Sequence, residues 1–98
     1  MATIEKIEQK RSAAESAWEA IQLTAANAQR ELDYAIAVFE QHENELREDE
    51  INSTRAKIEE QREAIRTYLL KGHQKYQEDM LMYKSNLARL EKNASLHL

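Results

Sequence analysis

Apolar residues recur every three or four positions along almost the whole chain, in two stretches that mirror each other about residue 48 or 49. Read forward, the first series is Ile4, Ile7, Arg11, Ala14, Trp18, Ile21, Ala25, Ala28, Leu32, Ala35, Phe39, His42 and Leu46. Read backward, the second is Ala94, Leu90, Leu87, Tyr83, Met80, Tyr76, Gly72, Leu69, Ile65, Arg62, Ile58, Arg55 and Ile51. Paired in those orders, the position numbers add up to 97 or 98, as a chain folded back near its middle requires. A mean spacing of about 3.5 residues marks a left-handed coiled-coil seam. The expected fold is therefore all-α: a long antiparallel two-helix coiled-coil hairpin, completed by oligomerisation into a helical bundle.

The scarcity of turn-forming residues agrees with that expectation. Proline is absent and glycine occurs once, at Gly72, and loops need those two types more than helices do. One domain over residues 1–98 is expected, with a helix over about 4–47, a turn over about 48–53 and a second helix over about 54–94. Thr3 is the candidate N-cap of the first helix, and Asn52 or Ser53 that of the second. The turn is placed where the spacing breaks, because Leu46 to Ile51 is a step of five. A competing arrangement runs one helix from residue 4 to about 71 and breaks it at Gly72, where glycine would follow a C-terminus. In the central hairpin Gly72 instead faces Ala25, and small residues there let the backbones approach closely.

Several function classes lose their footing in the composition. Without cysteine, no disulfide framework, thiolate metal site or cysteine nucleophile is possible, and the chain suits a reducing compartment. Its first residues enter an amphipathic pattern directly, and no run of apolar residues reaches the length of a membrane span. A cytoplasmic location is expected, with no membrane partner. The net charge of −4 is concentrated: residues 31–50 carry eight acidic groups against Arg47 alone, whereas residues 51–98 carry nine basic and six acidic. Such an acidic bend disfavours nucleic acid as a partner. The basic residues of the second helix alternate with Glu59, Glu60 and Glu63, unlike the one-signed stripe of a nucleic-acid binder.

Candidate chemistry is sparse. His42, His73 and His97 stand alone, with no His-x-x-x-His or Glu-x-x-His spacing. There is no phosphate-cradling glycine loop and no nucleophile beside a base. No enzyme activity, cofactor or metal is expected. More informative are the large apolar residues that the seam leaves out, among them Ile36, Val38, Leu70, Leu81 and Met82. A lone hairpin leaves them in water, whereas a second hairpin or another helical protein would bury them. These five are the candidate partner-binding residues of a non-enzymatic interaction module, an adaptor, assembly subunit or small chaperone that self-associates. The alternative is an acidic inhibitor or decoy, using Glu45, Glu48, Asp49 and Glu50 to occupy a basic site on a nucleic-acid-processing or defence enzyme.

Overall fold

The computed structural model describes residues 4–96, with side chains through residue 94. The suggested Thr3 cap and His97 lie outside the described residues. Helix α1 spans Ile4–His42 (39 residues), a 3-10 turn spans Glu43–Glu45, and helix α2 spans Glu48–Leu96 (49 residues). The two helices pack as a hairpin, and no strand occurs among the described residues. Gly72 does not break the chain: it is buried inside α2 and its φ is negative, as in any helix. Local ion pairs reinforce both helices at the i,i+3 and i,i+4 spacings that bring side chains together. They include Arg11 with Glu8 (2.8 Å) and Glu15 (2.9 Å), Arg66 with Glu63 (2.8 Å) and Lys75 with Asp79 (3.1 Å). Such exposed pairs add modestly to helix stability and are screened by salt.

The turn falls earlier than the spacing predicts. Residues 48–53, expected to form it, are instead the opening of α2, and the chain reverses over 43–47. Neither Asn52 nor Ser53 is therefore a cap; both are exposed helical residues. In the turn the Leu46 N–H donates to the Glu43 carbonyl (3.1 Å), Leu46 itself is extended, and the Ile51 N–H donates to the Arg47 carbonyl (3.0 Å). The facing pairs move with it: Trp18 meets Tyr76 and Arg11 meets Tyr83, pairs that add up to 94 where the spacing requires 97 or 98. Glu48, Asp49 and Glu50 occupy the first turn of α2, where the helix dipole favours negative charge.

The fold divides into two compact units, one from the described parts of Met1–Ala20 and Lys71–Leu98, the other Ile21–Leu70. In the first, Ile7 and Ala14 are buried, and Arg11, Trp18, Tyr76, Met80, Tyr83, Leu87 and Leu90 are half-buried, as the seam predicts. Ile4 and Ala94, the outermost predicted pair, are exposed. Trp18 finds its ring partners in Tyr76 (centroids 6.1 Å, interplanar 21°) and His73 (5.4 Å), where seam numbering puts Met80 beside it. In the second unit Ala25 and Leu32 are buried, but the seam then shifts by one residue. Ile36 and Glu43 turn inward where Ala35 and His42 are expected, and Thr54 does so in place of Arg55. A strict seven-residue repeat falls behind a straight α-helix by about 20° per heptad, so Ala35, four heptads after Ile7, has rotated about 80° out of the seam. The inward Thr54 satisfies its hydroxyl by donating to the Glu50 carbonyl (2.9 Å), a common arrangement for threonine in helices.

Two substitutions test this packing by chemical denaturation. Leu32→Ala, at a residue only 8% exposed, is expected to cost about 2–3 kcal/mol. Gly72→Leu should also destabilise the fold, since overpacking of about 1–3 kcal/mol outweighs the helix-propensity gain of about 1 kcal/mol; a Gly72→Leu variant more stable than the parent would mean the space beside Gly72 is open.

Candidate interaction surface

In the first unit the seam separates two unlike flanks of the helix pair. One flank is polar and tied together. Arg11 bridges Glu8 and Glu15 along α1, its guanidinium lies 5.6 Å from the centre of the Tyr83 ring of α2, and the Tyr83 hydroxyl donates to Glu8 at 2.8 Å. The Tyr83 hydroxyl, followed by Arg11, holds the Glu8 carboxyl below the usual carboxylate range. The same bond to Glu8 pushes the Tyr83 phenol above its ordinary value, and Glu8 raises Arg11. Each side chain in this set has a partner, so covering it with another protein would remove water from charges already engaged.

The other flank is an open groove of about 390 Å³. Its lining includes Ile7, Ala13, Ala14 and Ala17 from α1 with Met82 and Tyr83 from α2, and Lys10, Asp79 and Asn86 stand at its rim. Ala17 follows Glu15 by two residues, about 200° round the helix, which is why alanines and carboxylates from one short segment reach opposite flanks. Met82 projects beside the groove with 63% of its surface exposed, and Leu81 is 68% exposed. Successive helical residues diverge by about 100°. Accordingly Met82 lines the groove and Leu81 does not.

The second unit holds the remaining candidates. Val38 and Leu70 are exposed, together with Leu23, Tyr34 and Tyr68. Ile36 is half-buried and lines a groove with Phe39 and Ile58, bounded by Glu43, Arg55 and Arg62. The seam shift described above brings Ile36 partly into the hairpin's own packing. The acidic candidates are scattered and locally answered. His42 Nδ1 lies 3.3 Å from Glu45, Arg47 Nε lies 2.8 Å from Glu50 and 3.7 Å from Asp49, and Arg55 binds Glu43. Glu48 is exposed at the start of α2. Among the described residues no group of three His, Asp or Glu side chains could hold a metal ion, and no helix is long and apolar enough to cross a membrane.

Comparison with protein families, curated proteins and solved structures finds no match.

The Tyr83–Glu8 tie makes stability depend on pH at both ends. Glu8 is more acidic in the fold than in the unfolded chain, so its contribution is complete above the ordinary carboxylate range and is lost as pH falls through the lowered value. Tyr83 is less acidic in the fold, so its contribution is complete below about pH 10 and is lost as pH rises through the raised value. Tyr83→Phe should flatten the alkaline limb of melting temperature against pH and return Glu8 toward its ordinary titration, read by carboxyl NMR. An unchanged Glu8 titration would show that the tie does not form.

Proposed function

We propose that this chain is a non-enzymatic, cytoplasmic protein–protein interaction module: a helical hairpin that self-associates and serves as an adaptor, assembly subunit or small chaperone for another helical segment. The observation that carries this reading is the exposure of Leu81 (68%), Met82 (63%) and Leu70 (59%) on helices that already bury a separate apolar seam. A single surface leucine is ordinary. Adjacent large apolar residues beside an alanine-lined groove are what a partner helix can cover. With the hairpin's own seam already occupied, the apolar surface left over is available for association.

The acidic-decoy reading has less support. Glu48, Asp49 and Glu50 are accounted for by the start of α2, and Glu45, Asp49 and Glu50 each lie near a local cationic or imidazole group. A decoy would bind its partner through charge and lose affinity steeply with salt.

Sedimentation equilibrium of the purified chain at low and high salt tests the proposal directly. The expected result is a dimer or higher oligomer indifferent to salt, because apolar burial is not screened. A monomer at both salt concentrations would overturn self-association. Replacing Leu81 and Met82 together by glutamate is expected to give a monomer whose circular dichroism remains strongly helical.

A further inference from the structure

The chain reversal puts one basic residue in a setting that no other shares. The sequence holds 14 lysines and arginines, and all but Arg47 lie within α1 or α2. The Arg47 side chain is 77% exposed. Leu46 before it is extended, with φ −103° and ψ 153°, and Glu48 after it opens α2.

A peptidase that cuts after arginine needs that setting. Such an enzyme takes the guanidinium into an acidic pocket and holds the residues before the cut as an extended strand. Within a helix the backbone is coiled and its carbonyls are engaged along the chain, so a bond there becomes extended only when several turns unwind together. At Arg47 the contact to be released is the one that the Ile51 N–H donates to the Arg47 carbonyl (3.0 Å), and on the preceding side the one that the Leu46 N–H donates to the Glu43 carbonyl (3.1 Å). The guanidinium lies 2.8 Å from Glu50 and 3.7 Å from Asp49. Both pairs stand in water, where such contacts hold a side chain weakly.

We propose that the Arg47–Glu48 peptide bond is a processing site for an arginine-directed serine endopeptidase, whose cut divides the hairpin into residues 1–47 and 48–98. Hydrolysis adds one water across the amide: the hydroxyl goes to the Arg47 carbonyl carbon, leaving a carboxylate, and the proton goes to the Glu48 nitrogen, leaving an α-ammonium. That new positive charge stands at the start of α2, where the helix dipole disfavours it. Glu48, Asp49 and Glu50 occupy the same first turn and offset it, so α2 keeps its start. The apolar seam then joins two molecules instead of one. Pairing of α1 with α2, independent of concentration in the hairpin, becomes dependent on it.

The site does not depend on the self-association proposed above. Its test is brief digestion of the native chain by a trace of trypsin, which accepts lysine and arginine alike, with the products weighed by intact mass. The earliest products are expected to be residues 1–47 and 48–98, trimmed only at their outer ends. Arg47→Gln is expected to lose both products and to survive about tenfold longer, with unchanged circular dichroism. The cut protein is expected to lose helicity on dilution to concentrations at which the uncut chain keeps it. An earlier cut at any other basic residue from Arg11 to Lys84, or equal survival of Arg47→Gln, overturns the site. Cut protein that stays as helical as the uncut chain at every dilution overturns the conversion to a separable pair.

Discussion

Two helices can bury only one stripe apiece, and the rest of this structure follows from how thin that core is. Ile7, Ala14, Ala25 and Leu32 are buried, all of them on α1. The larger residues of α2, among them Tyr76, Met80 and Tyr83, are only half-buried. Tyr76 lies against Trp18 and Tyr83 against Arg11, and each keeps part of its surface in water. Burying a large apolar side chain completely is worth about 1.5–3 kcal/mol, so a hairpin that half-buries its best residues leaves part of that stabilisation unused. A second layer of helices would recover it, which is the physical argument behind the proposed self-association.

Most of the fold is legible in the sequence because helical spacing is a geometric property of the chain alone. The two seams and the antiparallel hairpin follow from the apolar period and the mirror relation, but the facing pairs do not: Trp18 meets Tyr76 rather than Met80, and Tyr83 meets Arg11 and Glu8 rather than Ala14. The errors lie where a strict period of 3.5 parts from the 3.6 residues of a real turn. Over a few heptads the difference is small, but by Ala35 and Arg55 it has accumulated to most of a residue, and Ile36 and Thr54 take their places. Ile36 therefore reads as off the seam, whereas the structure turns it partly inward. Counting azimuth at about 100° per residue along α1, rather than counting heptads, would have shown that shift.

The turn was harder to read because it uses none of the usual residues. Its signal was present in another form. Leu46 and Ile51 lie five apart, which is the spacing of the residue before an N-cap and the fourth residue of the helix it introduces, the pair that packs together in a hydrophobic staple. Both are half-buried, and Arg47 between them supplies the first helical carbonyl. Read as a break in phase, that step points to a turn after Leu46. Read with the acidic Glu48-Asp49-Glu50 run as a helix start, it places the start of α2 correctly. The same reading removes the need for a functional explanation of the acidic cluster.

Leu81 and Met82 were legible as off-seam residues, but the groove beside Met82 was not. It depends on two things that a periodicity search does not weigh: the smallness of Ala13 and Ala17, and the clustering of Glu8, Arg11 and Glu15 on the other flank. The seam alone would let a partner approach from either side. The Tyr83–Glu8 bond and the Arg11 bridges set the two flanks apart, since they engage the charges of one flank in place and make its desolvation unrewarding. One residue thus serves both sides, Tyr83 presenting its hydroxyl to Glu8 and part of its ring to the groove. The polar network makes one flank costly to cover, and Met82 projects from the other.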